Sequence, residues 1–175
     1  MIDFTKMHGL GNDFVLIDAR KVSVNLKSKH IQAIADRHLG VGCDQVMIMH
    51  PAKKSGDIFL QMLNADGSEA GACGNGTRCV ASVLLSELKA DVVHIETFSG
   101  TLRAFNNGNM VAVDMGPAYF MPEDIPFNNS ELQLDDLLFV PFPEIIPERA
   151  TLVSMGNPHA VFFVSDCEVL ELEKI

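Results

Sequence analysis

Positive charge is scarce in this chain. Its 175 residues hold 13 lysines and arginines against 23 aspartates and glutamates, a formal net charge of −10. That balance excludes a nucleic acid or an anionic membrane surface as partner, because neutralising phosphates needs clustered Lys and Arg. Long apolar runs are also lacking, and none approaches the roughly 20 residues of a membrane span. The opening residues, MIDFTKMHGLGNDF, have neither the basic start nor the apolar stretch of a secretion signal, so a soluble, cytoplasmic protein with reduced thiols is expected. Cysteines number only four: Cys43, Cys73, Cys79 and Cys167. No CxxC pair occurs and the histidines are scattered, which leaves no metal site.

Cofactor motifs are missing as well. Gly9-Leu10-Gly11-Asn12-Asp13-Phe14 lacks the third glycine of a dinucleotide fingerprint and runs into a strand, not a helix. Gly71 to Thr77 lacks the Gly-Lys-Ser/Thr ending of a P-loop. No lysine sits where a pyridoxal Schiff base would be expected. Neither NAD, ATP nor any other cofactor is indicated.

What the chain has is an apolar fraction of 47%, enough for one good core or two small domains sharing a cleft. The patterning is of short alternating strands and few helices. IDFTKMH and DFVLIDA read as strands joined by a tight turn, and QVMIMH, DIFLQML, VVHIETF, TLRAF and NMVAVDM as further strands, the last three a meander. Residues 28 to 39 predict an amphipathic helix capped by Ser28 and stopped by Gly40. Residues 77 to 88 are apolar on nearly every face and predict a helix buried all round. The pattern is α+β, a sheet wrapped about an inner helix.

Composition changes after Gly116-Pro117. Six of the eight prolines fall between Pro117 and Pro147, which predicts an irregular linker. Strand patterns resume at ATLVSM and HAVFFV, so residues 1–116 read as one domain and 117–175 as a linker with the incomplete start of a second. That restart echoes the beginning. Gly11-Asn12 and Gly156-Asn157 each lead into a hydrophobic strand, and the same spacing would put a counterpart of Cys73 beyond Ile175.

Cys73 stands among Gly71, Gly74 and Gly76, immediately before the 77–88 helix. The first N–H groups of a helix have no intrahelical partners, and a thiol among them is expected to have its pKa lowered. The same groups, opened to close approach by Gly74 and Gly76, would receive a carboxylate or phosphate. Cys73 is therefore expected to be the most reactive of the four thiols. Cys79, on the apolar helix, reads as core filler, and Cys43 and Cys167 as structural.

Three segments, "KMHGLGNDFVLID", "MLNADGSEAGACGNGTRCVA" and "SMGNPHAVFFV", resemble in order the N-terminal hallmark motifs of the diaminopimelate epimerases. The resemblance covers about residues 1 to 164. It implies two similar α+β domains, each a strongly curved, mainly antiparallel sheet around a central helix, with the active site between them. It implies a cofactor-independent isomerase that interconverts LL- and meso-diaminopimelate, an amino acid of lysine and peptidoglycan synthesis. Two thiols act there on opposite faces of the α-carbon, and Cys73 matches one of them. Gly74 and Asn75 match positions whose N–H groups take the substrate carboxylate. Asn12, Gln45, Asn64 and Asn157 match substrate-binding positions, and His159 matches one that tunes a catalytic thiol. The second thiol belongs to a part of the second domain that this sequence does not include, so the chain reads as a partial epimerase, inactive alone. Other readings stay open: a same-fold racemase of another amino acid, a non-catalytic fragment that binds or dimerises, or, on Cys73 and Cys79, a thiol-redox protein. Whether intact copies pair as a homodimer is undecided by the sequence.

Overall fold

A polar-apolar alternating strand and a continuous apolar one, joined by a two-residue turn, build the first hairpin. β1 (Thr5–Gly9) and β2 (Asn12–Asp18) pair antiparallel, and Leu10 and Gly11 between them both have positive φ, 55° and 87°. Such a turn matches the twist of the strands it joins. The computed structural model of the chain describes residues 2–125 and 151–167. Two compact units are present, Met1–Met115 and Gly116–Ile175.

The first unit is a seven-stranded sheet in chain order, completed by β3 (Gln45–His50), β4 (Ile58–Asn64), β5 (Val92–Thr97), β6 (Gly100–Asn107) and β7 (Met110–Asp114). β2 pairs with β3 and β4 with β5 in parallel, while the other neighbours run antiparallel. Each parallel step needs a crossover, and the two helices supply them: α1 (Ser28–Ala35) and α2 (Gly74–Leu88). Strand alternation then sends side chains to two cores. Leu16, Met47, Met49, Leu60 and Met62 pack toward α2, and Val15, Ile17, Val46, Ile48 and Leu63 toward α1. Burial on both faces explains why β2 and β3 read as continuous apolar runs. α2 touches both edge strands, β1 and β7, so the sheet curls around it. The architecture is the α+β one expected.

Three local expectations need correction. α2 buries Cys79, Val80, Ala81, Leu84 and Leu85 but exposes Ser82, Ser86, Glu87 and Leu88, so one flank is wet. Apolar composition overstated its burial: Leu88, the last residue of the helix, is exposed. α1 is preceded by Lys27 in the cap position, whose N–H donates to His30 Nδ1 at 3.0 Å; Ser28 does not cap it. The helix also ends at Ala35, short of residue 39. Asp36 turns to extended backbone, and its Oδ1 accepts the N–H groups of His38 (2.7 Å) and Leu39 (2.8 Å), a local alternative to helical bonding. The carbonyls left open are met by the chain folding back. Gly40 N–H donates to Asp36 O, Val41 and Gly42 N–H to Ile34 O, and Cys43 N–H to Ala35 O.

Glu96 on β5 is buried and acts as a backbone clasp. Its carboxylate accepts the N–H groups of Lys53 (2.7 Å), Lys54 (2.9 Å) and Gly56 (2.8 Å), fixing the loop between β3 and β4. The Gly56 N–H first, and then those of Lys53 and Lys54, hold this carboxyl below the usual glutamate range against the opposing effect of burial. A lowered folded-state pKa stabilises above the unfolded value, and that contribution is lost as pH falls through the folded one. Glu96→Gln should therefore speed hydrogen exchange at Lys53, Lys54 and Gly56 near neutral pH, with the difference from wild type shrinking in acid. Unchanged exchange at these amides would contradict the clasp.

The second unit is described in parts. β8 (Thr151–Ser154) and β9 (Pro158–Val161) form an antiparallel hairpin, and Tyr119 pairs with Ser154 through two backbone bonds of 3.0 and 2.8 Å. Gly156 in its turn has φ 92°, like Gly11, and each glycine precedes an asparagine that enters the second strand of a hairpin. Most of the expected proline-rich linker, residues 126 to 147, lies outside the described residues. No helix among the described residues is long and apolar enough to cross a membrane.

Candidate active site

β2 and β3 begin, and β4 ends, at one edge of the sheet. The register pairs Phe14 with Gln45 and Gln45 with Asn64, so Asn12, Gln45 and Asn64 line that edge. α2 starts there too. After β4 the chain turns at Asn64–Ser68, where Asp66 Oδ1 accepts the Ser68 N–H at 2.8 Å, and doubles back so that Ala70 N–H reaches Met62 O. Ser99 Oγ then holds Gly71 O at 2.8 Å, and the next residues enter the helix.

Cys73 is the N-cap of α2. Its extended backbone (φ −151°, ψ 98°) lets Sγ turn back over the helix start and accept the Gly76 N–H at 3.4 Å, in the place a Ser or Asp oxygen commonly takes. Thr77 secures the cap from below, its Oγ1 donating to Cys73 O at 2.8 Å. Two glycines permit the fit. A Cβ on Gly76 would overlap the Met47 methyl and lie 3.3 Å from Phe14 Cε1, and one on Gly9 would lie 3.2 Å from Asn75 O. Gly76, expected to open the loop to a ligand, is buried and serves packing instead.

The expected lowering of the Cys73 pKa is overturned. Burial pushes this thiol above its ordinary value, and the N–H groups of Gly76 and Asn75 and the charge of Arg78 only partly offset it, with Asp44 adding to the rise. Sequence signals gave the donors but not the desolvation. Burial raises Cys43 and Cys79 in the same way, whereas Cys167 is exposed rather than structural filler. The expected order of reactivity changes accordingly. Brief alkylation near neutral pH should label Cys167 first, then half-buried Cys73, and Cys43 and Cys79 last, as read by peptide mass spectrometry. The Cys73 rate should climb as pH rises through its raised pKa. Labelling of Cys79 ahead of Cys73 would contradict the burial argument.

The amides around the thiol form a chain. Asn12 Oδ1 lies 4.0 Å from Cys73 Sγ and accepts Asn75 Nδ2 at 3.4 Å, while Arg78 donates to Asn75 Oδ1. Asn12 Nδ2 donates to Asp44 Oδ2 at 2.6 Å. Asp44 is held in turn by Arg37 at 2.7 Å, and Arg37 forks onto Asp13 at 2.9 and 3.1 Å, where Lys6 also binds at 2.7 Å. The Arg37 guanidinium chiefly, and Lys6 with it, hold the Asp13 carboxyl well below the usual carboxylate range. Beside this group Gln45 Nε2 donates to Asn64 Oδ1 at 2.8 Å, leaving Gln45 Oε1 buried without a partner. An acceptor so placed invites a donor, since leaving it unmade costs about 1–3 kcal/mol.

The structure thus brings Cys73, Asn12 and Asn75 together, and pairs Gln45 with Asn64 at the same edge. Gly74 opens α2, with Met115 Sδ 3.6 Å from where its Cβ would be. Asn157 and His159 lie in the second unit, where His159 Nε2 and Asn157 Oδ1 are 3.0 Å apart. Sequence reading missed Asp44, Arg37, Asp13 and Arg78. The available signal was weak: Asp13 and Asp44 adjoin Asn12 and Gln45.

A family model for diaminopimelate epimerase matches residues 4–121, two-thirds of the chain and all of the cluster around Cys73. The chain belongs to the diaminopimelate epimerase family. Relatives described as diaminopimelate epimerase include one from Rhodospirillum centenum, 47% identical over 97% of this chain and 57% of its own length, and one from Acidiphilium cryptum, 44% identical over 98% and 61%. The chain therefore spans about three-fifths of the length of these curated relatives. Among solved structures, a hydroxyproline epimerase from Agrobacterium vitis, with bound trans-4-OH-L-proline, superposes with a TM-score of 0.60 at 17% identity, covering 91% of this chain and 50% of the other. At that identity the likeness is one of fold. Diaminopimelate epimerase family membership rests on the sequence match, and the curled sheet around α2 is the fold it shares with such proteins.

Proposed function

We propose that this chain supplies one half of a cofactor-independent amino-acid epimerase site that interconverts LL- and meso-diaminopimelate. The observation that carries the reading is Cys73 capping α2, its sulfur set among the first N–H groups of the helix and faced by Asn12. An α-proton is weakly acidic, and inverting the centre requires its removal from one face and the return of another proton to the opposite face. A thiolate on one side takes the proton, the C–H pair stays on carbon, and a thiol on the other side gives its own proton to that pair. Cys73 is one of these two sulfurs, and the other comes from the length of the relatives that this chain does not span. Burial suits the task, because a thiol kept protonated near neutral pH is a competent acid.

Gly74 and Asn75 present N–H groups at the positive end of α2 to the substrate carboxylate, stabilising the charge that develops beside it. Asn12, Gln45, Asn64 and Asn157 hold the zwitterionic ends, since an amide both donates to a carboxylate and accepts from an ammonium. Gln45 Oε1 is the acceptor ready for that purpose. His159 tunes the protonation of a catalytic thiol. Residues 1–116 form the first epimerase domain and 117–175 the linker and start of the second. With a net charge of −10, the protein works as a cytoplasmic isomerase on a small amino acid, with neither nucleic acid nor membrane as partner.

The test follows both proton steps. LL-diaminopimelate in heavy water is incubated with the 175-residue chain and, separately, with a chain of the relatives' full length, reading α-deuteration by NMR and meso product by chiral chromatography. Both signals are expected from the longer chain, and no meso product from the shorter. Meso product from the 175-residue chain at an ordinary enzymatic rate would overturn the two-thiol reading. Turnover of proline or hydroxyproline in place of diaminopimelate would overturn the substrate.

A further inference from the structure

The cluster around Cys73 contains a carboxylate with no part in the chemistry above. Asp44 immediately precedes β3, does not touch the sulfur, and is bound to Asn12 Nδ2 at 2.6 Å and to the Asp13 N–H at 3.0 Å. A carboxylate oxygen accepts hydrogen bonds and cannot donate them, so the end of Asn12 that faces Asp44 must be its NH2. The oxygen of the same amide must then face the other way, toward Cys73 Sγ and Asn75 Nδ2. The far end of the chain agrees, because Arg78 can only donate and therefore turns Asn75 so that its NH2 meets Asn12 Oδ1. A cation at one end and an anion at the other fix both amides head to tail.

We propose that Asp44 is a positioning residue: by deciding which end of the Asn12 amide meets Cys73, it aims an acceptor at the sulfur and favours the S–H form. An amide turned the other way would aim N–H groups at the sulfur and favour the thiolate. Arg37, which binds Asp44 at 2.7 Å and Asp13 at 2.9 Å, holds the carboxylate in place for this role. Among the described residues, the groups that act on Cys73 are then Asn12 from β2, the N–H groups of Asn75 and Gly76 with the Arg78 charge and the Cys79 thiol from α2, and the charge of Asp44. The inference rests on the reading of Cys73 as the reacting thiol.

Removing the Asp44 charge would by itself ease ionisation of Cys73, so the test must separate orientation from field. Rates of Cys73 alkylation are measured against pH by peptide mass spectrometry in the chain, in Asp44→Asn, in Asn12→Ala and in the double variant. Asp44→Asn frees the Asn12 amide to turn, and Cys73 should react on the order of 3- to 10-fold faster near pH 7, its profile moving to lower pH. In the Asn12→Ala background the same substitution should change the rate less than about twofold, because no amide remains to orient. Equal acceleration in both backgrounds would show a field effect and overturn the proposal, as would no acceleration in either.

Asp44→Glu, which keeps the carboxylate, should keep the wild-type profile. If Asp44→Asn does not fold, the unaltered chain still decides. Nuclear Overhauser contacts should place the Asn12 NH2 protons away from the Cys73 side chain, and NH2 protons lying against Cys73 would overturn the proposal. Because alkylation and NMR are read rather than turnover, failure of this coupling leaves the two-thiol reading standing. Failure of that reading leaves the coupling measurable.

Discussion

In a chain of the relatives' full length, Cys73→Ala should lower the rate of LL-to-meso conversion by about 10³-fold or more. General acid–base groups are worth roughly 10² to 10⁴ each, and among the described residues of the first unit no neighbour of Cys73 is able to replace it. Around Cys73 Sγ stand amides and a helix N-terminus, with Arg78 beyond Asn75, and none of them can both take and return a proton near neutral pH. The losses of exchange and of inversion should differ. On the two-thiol proposal, the second thiol can still remove the α-proton that faces it and return a solvent deuteron to the same side. One epimer should therefore wash in deuterium while keeping its configuration, and the other should do neither. Chiral chromatography of meso product, with α-deuteration of each epimer by NMR, separates these outcomes. Inversion within tenfold of wild type would mean that Cys73 is not one of the pair.

Gly40→Ala should be the most damaging single-methyl change in the first unit. Gly40 folds back beneath the end of α1, and its missing side chain is what lets it do so. A Cβ there would overlap the Ala33 carbonyl oxygen and lie 2.8 and 2.9 Å from those of Ile34 and Asp36. These are backbone atoms, so no rotamer change relieves the overlap. Either the 40–43 strap moves away or α1 shifts. Moving the strap uncovers the Ile34 and Ala35 carbonyls now bonded by Val41, Gly42 and Cys43, in a region where Cys43 is part of the buried α1 core. Overpacking costs about 1–3 kcal/mol and sometimes more, and the lost bonds put this site at about 3 kcal/mol or above. The strap runs directly into Asp44 and Gln45, so the displacement should also disturb the Asn12 side chain. Denaturant midpoints by circular dichroism provide the check. By contrast, Gly108→Ala should cost only about 1–2 kcal/mol: a Cβ there meets nothing, and the penalty is confined to its positive φ of 62°. Equal midpoints for the two variants would contradict the packing argument.

Short-range chemistry was legible in the amino-acid sequence by itself. Apolar patterning marked the strands from β1 to β7, as continuous runs where both faces are buried, as in β2 and β3, and as alternation elsewhere, because the side-chain period of a strand is fixed. The Leu10-Gly11 and Gly156-Asn157 turns, a helix beginning just after Cys73 and the motifs that place the chain among the epimerases all lie within windows of a few residues, although α2 opens at Gly74, a few residues before the expected 77. Only the tertiary structure decided what depends on residues brought from far along the chain. Cys73 has a raised pKa rather than a lowered one, because packing desolvates the sulfur and so outweighs the N–H groups that the motif provides. α1 stops at Ala35, and its open carbonyls are met by a strap whose route is set by the sheet beneath it. Asn12 and Asp44 are 32 positions apart, and they meet because β2 and β3 pair in parallel and carry both to the same edge. Burial, like an amide's orientation, is a property of the neighbours a residue acquires on folding, and a local window of sequence does not contain them.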